Sequence, residues 1–332
     1  MSFEVANGEL ELSSVQKLSS VSRRYIAGPD TVRDYGDYFV AIEPNSFGLP
    51  AIETCPGMTD ECKKDCYAID SERRTATHEK MQENLDILEE AKTVDGMYNK
   101  LRTMVAGYRT AAERLGIPED KRNFRVHWDG DFYSEDYAEA WRKVIEESPE
   151  KYWIYTRSFT PEVNVVPILA GLENLDLFMS VDCQNVDRAA EVLTDKPKVR
   201  VAYLVDYAED AEPLMEKLGR TRDEGFHIVI CPENIIVESG KRQGQRRQVL
   251  IDEKGGACAQ CKVCFNGREN WDVVFVKNNQ LFRPQPFLPF VEPIPVDIKP
   301  RQKKTEEEAP FVGTLALTEA APSLLSWYAR TD

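Results

Sequence analysis

Hydrophobic and polar residues recur along this chain with two different periods. Short runs rich in β-branched and aromatic residues predict strands; they are residues 38–43, 124–130, 151–158, 175–182, 199–206, 226–231 and 271–277. Longer segments with apolar residues three or four positions apart predict amphipathic helices, most clearly at residues 70–91, 95–116 and 134–148. Short strands that alternate with helices indicate an α/β fold with parallel strands.

The number of strand–helix units favours a TIM-like (β/α) barrel, full or partial, over a flat sheet. A doubly wound sheet is the alternative, because the pattern does not fix the order of the strands. The composition divides the chain into an N-terminal extension (1–36), a barrel-like domain (37–283) and a proline-rich arm that runs into a flexible, charged tail (284–332). We therefore expect one large domain with an extended C-terminal arm.

Charge and composition narrow the possible partners and location. The net charge of −15 disfavours nucleic acid as a partner, because phosphate binding depends on lysine and arginine. The first residues lack the basic and apolar segments of a signal peptide, and no apolar run is long enough for a membrane span. We therefore predict a cytoplasmic location, where the eight cysteines indicate metal or redox chemistry more than disulfides.

One set of cysteines lies late in the chain. Cys231 ends the sixth predicted strand, and Cys258, Cys261 and Cys264 follow in a C-x2-C-x2-C pattern. Three closely spaced cysteines and one distant cysteine are typical of the ligands of a [4Fe–4S] cluster. Structural zinc more often takes two separated pairs. We predict a four-cysteine metal site and favour a cluster over zinc.

A second set lies just after the first predicted strand. Cys55, Cys62 and Cys66 are separated by six and then three residues. Three thiolates on one loop suit a [4Fe–4S] cluster with one open iron, and zinc with three cysteines and water is the alternative. The loop between a strand and a helix is where a β/α barrel places its chemistry. The lone Cys183 is interpreted as a small buried apolar residue.

Several motifs together resemble the phage gene product 88 family. They extend from about residue 46 to residue 277 and comprise FGLPA, TCPGM with the following C and CYA, HWDGDFYSEDYAEAW, YWIYTRS, and the late cysteines ending in CF. For a phage-encoded protein, the predicted location is the host cell cytoplasm.

The loop of Cys55, Cys62 and Cys66 also resembles that of radical S-adenosylmethionine (SAM) enzymes. In that superfamily the usual spacing is three and then two residues, whereas here it is six and then three. The resemblance implies that these cysteines hold a [4Fe–4S] cluster whose open iron binds the amino and carboxylate groups of SAM. An electron donor would then drive cleavage of SAM to a 5′-deoxyadenosyl radical. Tyr67 would take the place of the aromatic residue found near such loops.

The same resemblance gives roles to polar residues at the ends of the predicted strands. In the sequence DGDF, Asp129 and Asp131 correspond to the turn that receives the SAM ammonium group, and Gly130 would allow close backbone approach. A strand-end turn with a helix cap is the alternative interpretation.

Residues after the next two strands complete the predicted site. Arg157 ends the third predicted strand, and Ser180 and Asp182 end the fourth. Arg157 is expected to pair with a carboxylate or phosphate, or to close a surface salt bridge; Asp182 is expected to bond a ribose, and Ser180 to contact the cofactor. We assign Asp131, Arg157 and Asp182 as the catalytic candidates.

Three functional hypotheses follow. The first is a radical SAM-like enzyme with a catalytic cluster at the first cysteine set, an auxiliary cluster at the late set and an unidentified small-molecule substrate. The second is a zinc-stabilised phage protein with a binding or regulatory role and no catalysis. The third, a nucleic-acid-processing or replication-associated protein, is disfavoured by the acidic charge.

Overall fold

A parallel six-stranded sheet forms the centre of the protein in the computed structural model. The structure describes residues 25–27, 38–40, 45–73, 75–114, 116–194, 198–231, 261–265 and 269–277. The strands are β1 (Tyr25–Ala27), β2 (Tyr38–Val40), β3 (Asn123–Val126), β4 (Lys151–Thr156), β5 (Leu175–Val181), β6 (Arg200–Val205), β7 (His227–Ile230) and β8 (Trp271–Val276). Strands β3 to β8 are parallel and lie in the order β3-β4-β5-β6-β8-β7.

The helices fall between the strands, as the alternating pattern predicts. They are α1 (Asp60–Lys64), α2 (Tyr67–Glu72), α3 (Thr75–Ala91), α4 (Val94–Arg114), α5 (Glu135–Glu147), α6 (Val166–Leu169), α7 (Val186–Leu193) and α8 (Glu212–Lys217). The predicted helix 70–91 is in fact two helices, α2 and α3. Helix α5 begins where the sequence indicates, because the Ser134 hydroxyl accepts a hydrogen bond from the backbone N–H of Tyr137.

The sheet is open within the described residues, so the α/β prediction is confirmed but closure into a barrel is not. Strands β3 to β6 are neighbours in chain order, as in a barrel. The last two strands break that order, because β8 lies between β6 and β7 and leaves β7 at the edge.

The predicted first strand does not belong to this sheet. Residues 38–40 form β2, which pairs antiparallel with β1 in a separate two-stranded sheet. Segment 45–49 lies beside β3 instead: Phe47 donates its N–H to the carbonyl of Arg125 at 3.0 Å, and Leu49 donates to Asp129 at 3.0 Å. The cysteine loop that follows therefore still leaves the edge of the parallel sheet.

The two faces of the sheet have different coverings. Tyr152 and Ile154 of β4 face the main core, which contains buried residues of the helices. Trp153 and Tyr155 point the other way because side chains alternate along a strand, and Tyr155 packs against a second, smaller cluster with Phe178. We call this second side the second face.

All described residues lie in the compact unit Met1–Ile298. The predicted arm and tail (284–332) and most of the predicted extension (1–36) lie outside the described residues. Among the helices of the described ranges, none combines the length and apolar character that crossing a membrane requires.

Candidate functional site

Three cysteines lie on a loop at the carboxyl ends of the parallel strands. We call Cys55, Cys62 and Cys66 the early cysteine group. Cys62 is in the short helix α1, which begins after Thr59 because the Thr59 hydroxyl accepts a hydrogen bond from the N–H of Cys62 at 3.1 Å. The carboxyl edge of a parallel sheet is where α/β proteins bind their ligands.

The three thiols are close enough to influence one another. Burial raises the pKa of the Cys55 thiol well above its usual range, with further increases from Asp131 and from the other two cysteines. Burial also raises the pKa of Cys62 and of Cys66, although Arg157 lowers that of Cys62. Thiols in this setting stay protonated unless a cation replaces the protons, which is how metal binding proceeds at cysteine sites.

A buried ion pair fastens this loop to β4 and β5. Arg157, just after β4, donates from Nη1 to Oδ2 of Asp182, just after β5, at 2.6 Å. The Thr59 hydroxyl donates to the same Asp182 oxygen at 2.6 Å. Arg157 and Asp182 therefore meet as a buried pair that positions the loop, and the salt bridge of Arg157 is buried and not on the surface. Their predicted catalytic roles and the ribose contact of Asp182 stay predictions.

Asp131 fastens the start of the loop to β4. Its carboxylate accepts hydrogen bonds from the N–H of Arg157 at 2.6 Å, the hydroxyl of Thr156 at 2.7 Å and the N–H of Phe132 at 2.8 Å. Its own N–H donates to the hydroxyl of Thr54, next to Cys55, at 3.3 Å. With its oxygens engaged by backbone and Thr156, Asp131 positions the loop against β4; its predicted catalytic role stays a prediction.

Two further contacts hold the middle and end of the loop. Lys277, just after β8, pairs with Glu61 of α1 and lies 3.0 Å from the carboxylate of Asp206. The Tyr67 hydroxyl donates to the backbone carbonyl of Trp128 after β3. Four strand ends (β3, β4, β5 and β8) thus hold the early cysteine group in place.

Asp129 differs from Asp131 in what surrounds its carboxylate. One oxygen, Oδ1, accepts the N–H of Gly130 at 2.9 Å. The other, Oδ2, is buried and has no hydrogen-bond partner of normal geometry among the described residues. Burial, followed by the nearby carboxyl of Glu72, raises the pKa of Asp129 to about 8. Asp129 is therefore a carboxyl group that would gain from a bound cation.

Gly130 allows the loop to approach β3 closely. Its φ of +71° is in the left-handed region, and a Cβ there would lie 2.5 Å from the hydroxyl of Thr54 and 2.7 Å from the carbonyl of Leu49. This position requires glycine for both reasons. The atoms that lie close to Gly130 belong to Leu49 and Thr54 of the protein's own chain.

The two remaining residues of this region occupy different surroundings. Ser180 is half-buried on the second face, since its neighbours Met179 and Val181 face the main core. Cys183 is exposed, so its interpretation as a buried apolar residue was wrong.

The late cysteines also converge, on the second face. We call Cys231, Cys261 and Cys264 the late cysteine group; Cys258 lies outside the described residues. The three share one apolar cluster with Tyr155. Burial raises the pKa of Cys264 to about 11, although a hydrogen bond from the Tyr155 hydroxyl lowers it.

The turn that carries the late group is attached to the sheet by an arginine and an aromatic pair. Arg200 donates from Nη2 to the carbonyl of Val263 at 2.8 Å and pairs with Asp176 at 2.9 Å. The rings of Phe265 and Trp153 lie 5.3 Å apart. These contacts bring Cys261 and Cys264 over the same sheet that holds the early group at its edge.

The donor types and placement of the early group fit a metal centre, although the described side chains do not close around a single ion. None of the seven described cysteines is in a disulfide. Within the described ranges, no three histidine, cysteine, aspartate or glutamate side chains converge as ligands of one ion. Thiolates that bind separate irons of a cluster stand further apart than thiolates that share one zinc ion.

Five residues of this region were not among the predicted site residues: Thr54, Thr59, Glu72, Arg125 and Lys277. Thr59 had a recognisable signal, because a threonine followed by Asp60 and Glu61 is typical of a helix N-cap. Lys277 had another, a charged residue at the end of a buried strand. The residue that each of them contacts in the fold could not be predicted from the neighbouring sequence.

The fold and site define an α/β protein whose parallel sheet carries a cysteine loop at its carboxyl edge and further cysteines on one face. Comparison with known proteins identifies the family: residues 16–267 match the family model described as Gene product 88, and the chain belongs to that family. It is 36% identical over 230 residues to the Gene 88 protein of Mycobacterium phage L5, covering 68% of this chain and 84% of that protein. It is 34% identical over 232 residues to the Gene 88 protein of Mycobacterium phage D29, covering 68% and 85%. No solved structure matches.

The different surroundings of Asp129 and Asp131 predict opposite effects of the same substitution. Because the folded-state pKa of Asp129 is about 8 and its usual value is 3.8, ionisation of this group destabilises the fold as pH rises between those values. Asp129→Asn should therefore raise the free energy of unfolding at pH 8 by roughly 2 kcal/mol, with a smaller gain at pH 5. Urea denaturation at both pH values measures this difference.

Asp131→Asn is the matched control. The new amide group would face N–H donors of Arg157 and Phe132. Burial raises the pKa of Asp131 to about 6, so the carboxylate that accepts these hydrogen bonds is ionised at pH 8, and we expect a loss of about 1–3 kcal/mol at that pH. An equal effect of Asp129→Asn at pH 5 and pH 8 would contradict the raised pKa of Asp129.

Proposed function

We propose that this protein is an iron–sulfur enzyme of the radical SAM type. The observation that carries the proposal is the early cysteine group itself: three thiols on one loop, held by four strand ends at the ligand-binding edge of a parallel sheet. In this proposal Cys55, Cys62 and Cys66 hold a [4Fe–4S] cluster, and the sheet corresponds to a partial barrel. When bound, such a cluster supplies single electrons and one iron position open to a ligand.

The residues around the loop fit distinct parts of this function. Asp129 presents a buried carboxylate oxygen that lacks a partner of normal geometry, which suits the ammonium group of SAM. Arg157, Asp182 and Asp131 fix the loop so that its thiols are already in place. Tyr67, half exposed at 51%, stands beside Cys66 with its ring open to a ligand.

A second centre is proposed at the late cysteine group, with Cys258 as its fourth ligand. Cys261 and Cys264 lie in an apolar cluster on the second face, and the pKa of Cys264 is raised by burial. A positive metal centre would stabilise the thiolate forms there. The substrate is proposed to be a small molecule, and an external electron donor would supply the reducing electrons.

Iron and sulfide analysis tests the proposal most directly. The full chain, purified without oxygen, should contain near eight irons for two clusters and show the broad visible absorption of iron–sulfur proteins. Replacing Cys55, Cys62 and Cys66 together with alanine should remove about half of the iron. Replacing Cys258, Cys261 and Cys264 should remove the other half.

Cys183→Ala is the matched control, since Cys183 is a cysteine outside both groups; it should leave the iron content unchanged. A colourless protein that carries only zinc contradicts the proposal and supports the zinc-stabilised, non-catalytic alternative. With clusters present, dithionite and SAM should yield 5′-deoxyadenosine, and Asp129→Asn should reduce that yield. Intact clusters without 5′-deoxyadenosine would limit their role to electron transfer or structure.

A further inference from the structure

One stretch of the cysteine loop has no buried residue. Thr54 and Ala68 are buried, and every residue between them is half-buried or exposed. We call residues 58–66, which contain helix α1, the flap. Helix α1 has five residues and buries none of them, and a helix of this length is not stable by itself. The flap therefore depends on contacts with the rest of the protein and has little apolar burial to hold it.

The chain on either side of the flap is fixed. Before the flap, Gly57 lies so close to the end of β4 that a Cβ there would be 1.7 Å from the carbonyl oxygen of Arg157. After the flap, the Tyr67 hydroxyl donates to the carbonyl of Trp128, and Ala68 is buried. Any opening of the loop is therefore confined to the segment between these two points.

Two polar contacts attach the flap to strand ends. The Thr59 hydroxyl donates to Oδ2 of Asp182 at 2.6 Å. Glu61 pairs with Lys277, whose Nζ also lies 3.0 Å from Oδ1 of Asp206. Lys277 and Asp182 are buried, whereas Thr59 and Glu61 are half-buried. The strand ends thus offer fixed partners, and water can replace these partners at the side chains of the flap.

Opening of the flap would leave no buried charge without a partner. Asp182 would keep its ion pair with Arg157 at 2.6 Å. Lys277 would keep its contact with Asp206. An unpaired buried charge is what makes the loss of most buried ion pairs unfavourable. The two contacts of the flap can therefore break at a much smaller cost than the Arg157–Asp182 pair beneath them.

The closed flap covers the carboxyl ends of β4 and β5. Thr59 lies directly over the ion pair, because its hydroxyl is 2.6 Å from Asp182 and 3.5 Å from Nη1 of Arg157. Cys62 of the flap lies close enough to Cys55 to raise the pKa of the Cys55 thiol. The covered edge is the part of a parallel sheet at which α/β proteins bind their ligands.

We propose that the flap is a lid over this edge of the sheet, held closed by the Thr59–Asp182 and Glu61–Lys277 contacts and opening between Gly57 and Tyr67. The open lid admits a ligand to the ends of β4 and β5, and the closed lid shields that ligand from water. Segments with few buried apolar contacts are the ones that open locally while the core stays folded. The inference concerns the polypeptide alone and does not rest on the proposed function.

Amide hydrogen exchange and thiol alkylation of the full chain test the lid. A chelator and a reductant are present, so that the result does not depend on a bound metal or on disulfides. Lys277→Met keeps an apolar side chain of similar length but removes the contact with Glu61. It should speed up exchange in residues 58–66 by about tenfold, the effect of losing one hydrogen bond to a charged group. The alkylation rate of Cys55 should rise with it, and exchange in β4 and β5 should not change.

Thr59 offers a matched pair of variants. Thr59→Val removes the hydroxyl with little change of shape, and it should increase both rates as Lys277→Met does. Thr59→Ser keeps a hydroxyl and should behave like the wild type. Because the Thr59 hydroxyl also caps α1, Lys277→Met is the decisive variant, since it leaves the cap intact.

Two controls address general effects. Lys143→Met removes an ion pair with Asp95, in which Nζ lies 2.7 Å from Oδ1, between helices α5 and α4. It should change neither the exchange of the flap nor the alkylation of Cys55. Cys183 is exposed and supplies the rate of an uncovered thiol in the same sample.

Each outcome supports or overturns the lid. Faster exchange in the flap and faster alkylation of Cys55, with unchanged exchange in β4 and β5, support it. Unchanged rates in Lys277→Met overturn it, and so does faster exchange throughout the sheet, because Lys277 would then stabilise the whole fold. A flap that exchanges faster while Cys55 reacts at the wild-type rate also overturns it, since the flap would then move without covering the edge. The iron–sulfur proposal is tested separately, by iron content.

Discussion

Replacing Gly57 with alanine is expected to displace the cysteine loop and, under the proposed function, to abolish iron binding at the early group. A Cβ at this position would lie 1.7 Å from the backbone carbonyl oxygen of Arg157, far inside the contact distance of the two atoms. Because the obstacle is backbone of a residue that is itself held by Asp131 and Asp182, it cannot turn away as a side chain would. We expect a loss of about 3 kcal/mol or more in the free energy of unfolding, at the upper end for overpacking.

Gly107→Ala provides a matched control within the same chain. This glycine lies in helix α4, and a Cβ there would meet nothing within 4 Å. Alanine should stabilise the helix by about 0.5–1 kcal/mol and leave the iron content unchanged. Urea denaturation and iron analysis of both variants measure the changes in stability and in iron content. A Gly57→Ala protein with the stability and iron of the wild type would mean that the loop does not rest on β4.

The elements of the sheet were predictable because their signals are local. Runs such as 151–158 and 175–182 are apolar and β-branched, and the structure has strands β4 and β5 within them. The order of the strands depends on pairing between distant segments. Nothing in the sequences of these three strands indicates that β8 lies between β6 and β7. A closed barrel and an open sheet could therefore not be distinguished from the sequence.

The misassignment of the first strand has a similar cause. Residues 38–43 contain the stronger strand pattern, whereas segment 45–49 contains a glycine and a polar pair and pairs with β3 through only a few hydrogen bonds. Tertiary context thus outweighed local propensity. The loop was predicted to follow the first strand of the barrel, but the segment that directly precedes it is 45–49, which lies at the edge of the parallel sheet.

The proximity of some predicted site residues could be inferred from the sequence, whereas the contacts that each of them makes could not. Polar residues at carboxyl ends of neighbouring parallel strands must lie near one another, and Arg157 and Asp182 do. Whether such a residue faces a ligand or the protein's own loop depends on partners that are distant in sequence. Thr59 lies 123 positions from Asp182 along the chain. The contacts among Arg157, Asp182 and Thr59 are therefore seen only in the fold and could not be predicted from the sequence.

The Arg157–Asp182 ion pair gives the second prediction with a large expected effect. The arginine side chain is 8% exposed and that of the aspartate 1%, so removing one partner leaves the other charge buried. Arg157→Met should lower the free energy of unfolding by about 3–5 kcal/mol. It also removes the cation that holds Asp182, to which the Thr59 hydroxyl donates. Under the proposed function, iron at the early group should therefore fall while iron at the late group remains.

The double variant separates the ion pair from general damage to the loop. Asp182→Asn combined with Arg157→Met leaves no buried charge, so the double variant should lose less stability than the sum of the single losses. Arg142→Ala is the control, because its pairs with Glu139 and Glu146 lie on the surface of α5, and it should change stability by no more than about 1 kcal/mol. Strictly additive losses for Arg157 and Asp182 would contradict a direct pair. Equal loss of iron from both cysteine groups would show that the ion pair stabilises the whole sheet. Selective loss from the early group is expected only if the ion pair holds the cysteine loop.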